Sequence, residues 1–130
     1  MTQFLLDTSI IIDVLNNKRN RAKLISNLLS EGHVFYCCSI NIAEVYAGMR
    51  PKEKTHTESL LNSIHCYDIT SSIAALAGTL RYDWSQRGIN LSTSDTIIAA
   101  VALMHKLVLM TDNIKHYPMP QVKKFIDSIE

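Results

Sequence analysis

The sequence predicts an α/β fold with a central, mostly parallel sheet of four to five strands that helices cover on both faces. The first observation behind this prediction is that short β-forming runs alternate with segments of helical periodicity, an order typical of parallel sheets. The second is that the 130 residues show no repeat, no low-complexity linker and no shift in composition. Residues 1–130 are therefore predicted to form a single domain around one hydrophobic core.

The first half of the chain provides two predicted strands and four predicted helices. QFLLD is short and apolar, and VFYCCS is rich in aromatic and other β-forming residues, so both favour strands. Gly32 is a suitable residue for ending the second helix. The strands are predicted at 3–7 and 34–39, and the helices at 9–15, at 21–30, from near 41 to 48–51, and at 52–63.

The second half continues the alternation. HCYDI at 65–69 and LVLMT at 107–111 are predicted strands, and a helix is predicted at 94–105. A longer helix is predicted at 72–86 and ends before Gly88. Its apolar residues recur at helical spacing, namely Ile73, Leu76, Ala77, Leu80 and Trp84.

Composition excludes several classes of protein. The chain is 47% hydrophobic and 19% charged, as globular domains are, and it has no run of the roughly 20 apolar residues that a membrane helix needs. It has no secretory signal pattern, so we expect a cytoplasmic location. The cysteines Cys37, Cys38 and Cys66 lack C-x-x-C spacing, which argues against zinc and predicts buried free thiols.

The formal net charge of +1 says little about partners, but the positive residues form local clusters in KRNRAK, RPKEK and VKK. Such clusters fit either a solvated surface or a nucleic-acid-binding patch.

The apolar segment FLLDTSIIIDVL contains Asp7 directly after the first predicted strand. An unpaired buried charge is costly, so this carboxylate needs compensation from elsewhere in the chain. Asp112 follows the late strand LVLMT in the same way. Because ligands bind beyond the carboxyl ends of the strands in open parallel sheets, these two acids are predicted to share one crevice.

Glu44 and Asp95 follow the polar runs SINIAE and LSTSD and are predicted to lie in the first turns of helices. Asn41-x-x-Glu44 and Ser92-x-x-Asp95 match the capping-box pattern, and acids in a first turn favour the helix dipole. The alternative is that both carboxylates join the acids at the strand ends. The sequence is compatible with both interpretations.

If the four acids converge, their charge must be neutralised. At about 5 Å, each ionised pair repels by roughly 3 kcal/mol at an effective dielectric near 20. Either protons or a hard divalent cation can offset this repulsion, and oxygen ligands suit Mg²⁺, with Mn²⁺ as a substitute, better than zinc. The predicted metal ligands and catalytic residues are Asp7, Glu44, Asp95 and Asp112.

The stretches FLLDTSIIIDVL, SINIAEVYAG, STSDTIIAAVAL and LVLMTDNIKHYP resemble the successive signature segments of PIN-domain ribonucleases, in particular the VapC toxins of toxin–antitoxin pairs. The resemblance covers nearly the whole chain. It implies a Rossmann-like PIN domain with metal-dependent endoribonuclease activity. Asp7, Glu44 and Asp95 match the family's acidic positions.

The resemblance also implies roles for the residues beside the acids. The family's late motif has an acid or amide two residues after a threonine, which places Asn113 in the fourth acidic position and Asp112 beside it. Both residues are candidates for this position, Asp112 directly or through water and Asn113 by holding a metal-bound water. Thr8, Ser9 and Thr111 occupy the family's hydroxyl positions. Capping and turn formation explain these hydroxyls equally well.

In the implied mechanism, metal-activated water attacks phosphorus in line and leaves a 5′-phosphate and a 3′-hydroxyl. Glu44 or Asp112 orients that water or accepts its proton, and no histidine is required. The histidines show no metal spacing or catalytic partner and are predicted to be ordinary surface or core residues. They are His33, His56, His65, His105 and His116.

An acidic pocket needs nearby cations to bind RNA. The candidates for contacts with the RNA backbone are Lys18, Arg19, Arg21, Arg50, Lys52 and Arg87. The rings available for stacking on bases are Tyr46, Tyr82, Trp84 and Tyr117, although the helical spacing of Trp84 favours a core position.

The resemblance further implies a small VapB-like antitoxin that covers the acidic site, RNA as substrate, contact with DNA only through the antitoxin, and a homodimer. The absence of a Gly-rich phosphate loop excludes a nucleotide-binding module. The competing hypothesis is a non-catalytic PIN-fold binding module whose acids hold an ion or a partner's arginine.

Overall fold

The computed structural model describes residues 1–125, which form a five-stranded sheet in the order β3-β2-β1-β4-β5, with every neighbouring pair parallel. This confirms the predicted α/β class. The strands are β1 Gln3–Leu6, β2 Val34–Cys38, β3 His65–Tyr67, β4 Val108–Met110 and β5 Lys124–Phe125. The helices are α1 Thr8–Leu15, α2 Arg21–Ser30, α3 Ser39–Gly48, α4 Lys54–Asn62, α5 Ser71–Ser85 and α6 Thr93–His105, with 3₁₀ turns at Pro51–Glu53 and Ile114–His116.

The central strand β1 divides the core into two layers. Successive side chains of a strand point to opposite faces of its sheet. Leu5 accordingly packs in one cluster with buried residues of α5 and α6, whereas Phe4 and Leu6 pack in another with buried residues of α1 and α3. Helices therefore cover both faces, as predicted.

The strand order places a topological switch between β1 and β4. Chain connections run to opposite sides of the sheet at this point, and in open parallel sheets this is where ligands bind, beyond the carboxyl ends of the strands. Asp7 and Thr111 directly follow these strand ends. The fold thus brings residues from the two ends of the sequence to one place.

Two features of the fold differ from the prediction. The edge strand β5 at Lys124–Phe125 was not predicted, because two half-buried residues in a lysine-rich stretch carry no strand signal. Cys37 and Cys38 are buried free thiols as predicted, but Cys66 on the short strand β3 is exposed. In the described chain, none of the helices has the length and apolar character that crossing a membrane requires.

Candidate active site

Asp7 lies at the junction of β1 and α1 and is only 5% exposed. Its amide donates to the Met110 carbonyl at 2.9 Å, which ties the end of β1 to β4. The side chain caps α1 by accepting from the Thr8 amide at 2.8 Å. Its second oxygen accepts from the Thr111 hydroxyl at 2.6 Å. Both carboxylate oxygens of Asp7 are therefore oriented by donors from its own helix and from the end of β4.

Asp95 lies in the first turn of α6, where its amide donates to the Ser92 hydroxyl at 3.1 Å. The predicted cap is therefore present, and it leaves the carboxylate of Asp95 available for other contacts. Oδ1 accepts from the Tyr117 hydroxyl at 3.2 Å, and Oδ2 lies 3.4 Å from Nδ1 of His116. The capping and site interpretations of Asp95 are thus compatible.

The environment of Asp95 adds one contact to the predictions and corrects another. His116 is a surface histidine as predicted, but its contact with a candidate site acid was not foreseen. Tyr117 cannot stack on RNA bases, because it is completely buried. Neither contact has a signal in the sequence, since each joins helix α6 to a loop about twenty residues away.

Asp7 and Asp95 influence each other electrostatically. The pKa of Asp7 is raised, mainly because burial disfavours its charged form, and the negative charge of Asp95 adds to the effect. Hydrogen bonds from Thr111, Thr8 and Tyr117 act in the opposite direction and stabilise the ionised form. The two carboxylates therefore lie close enough to influence each other, and a cation would offset their charges.

Glu44 reaches the site through Thr8. Helix α3 begins at Ser39, two residues earlier than predicted, so Glu44 lies beyond its first turn and the predicted Asn41-x-x-Glu44 cap is wrong. The capping box joins Cys38 and Asn41 instead, and the Cys38 amide donates to Asn41 Oδ1 at 2.8 Å. With the capping role excluded, the half-buried Glu44 carboxylate is explained by its contact with Thr8.

A short chain of hydrogen bonds makes this connection. The buried Asn41 Nδ2 donates to Thr8 Oγ1 at 3.0 Å, and the Thr8 hydroxyl donates to Glu44 Oε1 at 2.6 Å. Since the Thr8 amide also binds Asp7, one residue orients two candidate site acids. Asn41 was read from the sequence as a helix cap, and its contact with Thr8 was not predicted.

Asp112 forms ion pairs with two arginines. One of its oxygens binds Nη1 of Arg19 at 3.0 Å, and the other binds Nη2 of Arg21. Arg21 also lies 3.6 Å from Asp13 through Nε. Asp112 is therefore part of an ion-pair network with the start of α2, which sequence reasoning did not foresee.

The same network corrects the predicted RNA contact of Arg21, which is only 7% exposed. Arg19 pairs with Asp112, yet its side chain is 61% exposed. Arg50 pairs with Glu53 at 3.3 Å, and the Arg87 guanidinium lies 4.5 Å from the centre of the Trp84 ring. Trp84 itself packs partly against the core, as its spacing predicted. Of the candidates for RNA contacts, five are exposed: Lys18, Arg19, Arg50, Lys52 and Arg87.

The predicted supporting residues differ in their contacts. Thr111 has both proposed roles, because its hydroxyl donates to Asp7 and accepts from the Asn113 amide at 2.9 Å. Asn113 is exposed. The Ser9 hydroxyl oxygen is buried and has no hydrogen-bond partner within the described part of the chain.

The candidate site offers a hard divalent cation two carboxylates and not a full set of protein ligands. Among residues 1–125, no group of three or more His, Cys, Asp or Glu side chains is arranged to hold a metal ion. Mg²⁺ in nucleotide- and nucleic-acid-processing sites, however, is usually held by one or two carboxylates, with water and substrate phosphates completing its shell. Asp7 and Asp95, whose charges interact, meet that requirement.

Comparison with known proteins agrees with this geometry. A model of the PIN domain matches residues 4–120. The chain is 32% identical over 117 residues to Ribonuclease VapC19 of Mycobacterium tuberculosis, covering 88% of this chain and 92% of the relative. It is 26% identical over 119 residues to Ribonuclease VapC2 of Rickettsia felis, covering 88% and 89% of the two chains.

Solved structures share the fold. VapBC2 from Rickettsia felis bound to a DNA fragment from their promoter has a TM-score of 0.84 at 22% identity, covering 95% of this chain and 98% of that chain. A toxin–antitoxin complex from Klebsiella pneumoniae has a TM-score of 0.74 at 27% identity, covering 90% and 92%. The family match over nine-tenths of the sequence and the identity to VapC19 show that this chain belongs to the PIN-domain family, together with the VapC ribonucleases.

Proposed function

We propose that this chain is the toxin of a VapBC-type toxin–antitoxin pair and acts as a Mg²⁺-dependent endoribonuclease. The observation that carries this proposal is the buried Asp7 beside Asp95 at the switch point between β1 and β4. Burying a carboxylate next to another costs stability unless a cation or a proton offsets it. The relatives named Ribonuclease VapC support an RNA-cleaving role for this arrangement.

A divalent cation bound at this site supplies an activated water and neutralises charge on the scissile phosphate. Asp7 and Asp95 would hold it, and Mn²⁺ would substitute for Mg²⁺ because both prefer oxygen ligands. Thr111 and the Thr8 amide keep the two oxygens of Asp7 in fixed directions. The Tyr117 hydroxyl does the same for one oxygen of Asp95.

Glu44 is the best candidate to orient the attacking water or accept its proton. Its Oε1 accepts from the Thr8 hydroxyl, whereas Asp112 is paired with Arg19 and Arg21. In this proposal water, and not the ribose 2′-hydroxyl, would attack phosphorus and the P–O3′ bond would break, so the products would carry a 5′-phosphate and a 3′-hydroxyl. Exposed cations such as Arg19 and Lys18 would contact the RNA backbone.

The proposed partner is a VapB-like antitoxin, since the Klebsiella pneumoniae neighbour is a toxin–antitoxin complex and the Rickettsia felis neighbour is a VapBC pair on promoter DNA. A basic side chain of the antitoxin would replace the charge of the cation between Asp7 and Asp95. DNA contact would occur only through the antitoxin. We further propose a homodimer and a cytoplasmic location, where the RNA substrate is found.

The decisive experiment incubates purified protein with RNA and Mg²⁺, with and without a chelator, beside Asp7→Asn and Asp95→Asn. Cleavage should require the metal and both acids, and the new ends should carry 5′-phosphates. Cleavage that persists in either variant or in the chelator would contradict the proposed chemistry. Co-expression with the adjacent reading frame tests the partner, which should copurify and relieve growth arrest.

One observation favours the non-catalytic alternative. Asp7 and Asp95 bring two negative charges together, and a partner's arginine would neutralise them as a cation would. A binding module of this kind would retain the antitoxin-like partner but release no RNA fragments at any Mg²⁺ or Mn²⁺ concentration. The cleavage assay therefore separates the two functions.

A further inference from the structure

Tyr117 is held rigidly in the structure. It is completely buried and belongs to the core cluster that contains Leu109 and Met119. Its amide donates to the Ile114 carbonyl at 3.0 Å and closes the short 3₁₀ turn at Ile114–His116. The position of its hydroxyl is therefore determined by the packing of the ring.

The Tyr117 hydroxyl can act only as a donor toward the two acids. A phenol is protonated at neutral pH, and an ionised carboxylate can only accept a hydrogen bond, so the hydroxyl donates. It donates to Asp95 Oδ1 at 3.2 Å and also helps to stabilise the ionised form of Asp7. Phenylalanine would fill the same space, so the hydroxyl is the part of the residue that needs a separate explanation.

The segment that follows β4 provides donors for both acids. Thr111 donates to Asp7, which comes from the β1 end, and Tyr117 donates to Asp95, which comes from α6. One stretch of seven residues therefore orients two carboxylates that belong to different elements. Without the second donor, repulsion from Asp7 would favour rotamers that turn Asp95 away.

We propose that Tyr117 is a positioning residue that holds Asp95 beside Asp7 in the orientation in which the pair binds a divalent cation. This inference rests on the proposed metal-dependent function. In this proposal the hydroxyl of Tyr117 neither binds the cation nor touches the substrate. It acts through Asp95, whose carboxylate it orients. Partners of this kind tune metal affinity through the orientation of the ligating side chain.

The test compares Tyr117→Phe with the native chain and with Tyr36→Phe. Tyr36 is a half-buried ring on β2 that stacks on Tyr67 of β3, with 5.0 Å between the ring centres. Mn²⁺ affinity is measured by electron paramagnetic resonance, and folding by circular dichroism and thermal melting. Tyr117→Phe should bind Mn²⁺ about tenfold more weakly, and Tyr36→Phe should match the native affinity.

A second measurement separates positioning from a purely structural role. With RNA as substrate, kcat of Tyr117→Phe at saturating Mn²⁺ should lie within about twofold of native, because excess metal fills the weakened site. A reduced kcat of Tyr117→Phe with native Mn²⁺ affinity indicates a structural role and overturns the inference. A loss of Mn²⁺ affinity in Tyr36→Phe as large as that in Tyr117→Phe overturns it as well. Failure of the native chain to bind Mn²⁺ removes the metal-dependent function and this inference together. Native affinity in Tyr117→Phe removes the inference alone.

Discussion

The hydroxyl of Thr8 donates to Oε1 of Glu44 at 2.6 Å, across 36 residues of sequence. Thr8 is also the first residue of α1, and its amide binds the carboxylate of Asp7. A single residue therefore sets the relative placement of an acid at the end of β1 and an acid on α3. The position of Glu44 depends on this bond, because the helix cap predicted for it does not exist.

Replacing Thr8 with valine should lower ribonuclease activity about tenfold, since valine keeps the shape of the side chain and removes its hydroxyl. Thr8→Ser keeps the hydroxyl and should retain most of the activity. The measurement is the initial rate of RNA cleavage at saturating Mg²⁺. Thr79→Val is the matched control, because the Thr79 hydroxyl donates to the Ala75 carbonyl of its own helix. Equal losses in Thr8→Val and Thr8→Ser would contradict a role for the hydroxyl.

Asp7→Asn should abolish most of the cleavage, by about 10²-fold or more, because loss of metal ligation and charge stabilisation costs several kcal/mol of barrier. The stability of Asp7→Asn should not fall with its activity. Asparagine also caps helices well, and it carries no charge to bury. In chelator at pH 7, Asp7→Asn should therefore be at least as stable as the native chain. A less stable Asp7→Asn under these conditions contradicts the cost assigned to the buried charge.

The same acid predicts a pH dependence of stability in the metal-free protein. The pKa of Asp7 is raised above 3.8 in the folded chain, so the folded state binds this proton more tightly than the unfolded state does. The contribution of Asp7 to stability is therefore full below pH 3.8 and is lost as pH rises through the folded pKa. Urea denaturation of the native chain and Asp7→Asn should show free energies that converge toward acid pH and separate toward neutrality. A constant difference across this range would oppose the prediction.

Asp112 should matter more for stability than for metal binding. Arg21 is buried, and removing its partner leaves a guanidinium charge that only Asp13 and its other contacts compensate. Asp112→Asn should thus cost about 2 kcal/mol of unfolding free energy, below the usual cost of breaking a fully buried pair because Asp112 is 19% exposed. Arg19→Gln should cost less than about 1 kcal/mol, since Arg19 is mostly exposed.

Measurements of metal binding distinguish a structural role of Asp112 from a role as a metal ligand. If it is a structural anchor, folded Asp112→Asn should bind Mn²⁺ with nearly native affinity, whereas Asp95→Asn should bind it poorly. Chemical denaturation and Mn²⁺ titration of the three variants provide both quantities. A large loss of Mn²⁺ affinity in Asp112→Asn, with stability unchanged, would return Asp112 to the set of ligands.

The sequence predicted the fold and the acids at strand ends because both depend on local patterns. Asp7 follows an apolar strand, and Asp95 follows a polar cap, so their places near the switch point could be read from short segments. The pairing of Arg21 with Asp112 joins residues 91 positions apart and has no local signal. Glu44 was assigned to a first turn because the start of α3 was placed two residues late.

The donors around the acids were equally hard to predict. Tyr117 was considered as an exposed ring, and only the fold shows that the core buries it with its hydroxyl on Asp95. The strand β5 is similar, because its two residues gain their structure by pairing with β4 and not from their own propensity. Periodicity reports which face is buried, but it does not report which side chains meet there.

Asn41 should be among the most sensitive positions for stability outside the apolar core. Its side chain is fully buried, accepts from the Cys38 amide and donates to Thr8. Asn41→Ala leaves both partners without their bonds, and each unsatisfied buried group costs about 1–3 kcal/mol. The expected loss of unfolding free energy is thus about 2–4 kcal/mol, measured by urea denaturation. Asn27→Ala on the exposed side of α2 is the control and should change stability by less than about 0.5 kcal/mol.

Asn41→Asp keeps one of the two hydrogen bonds of Asn41 and removes the other. Aspartate can still accept from the Cys38 amide, but it cannot donate to Thr8, and it adds a buried negative charge close to Glu44. Activity per folded molecule should therefore fall in Asn41→Asp, because the Thr8 hydroxyl would then be drawn toward two competing carboxylates. Cleavage rates corrected for the folded fraction provide the measurement. A native rate in Asn41→Asp would mean that Thr8 positions Glu44 without help from Asn41.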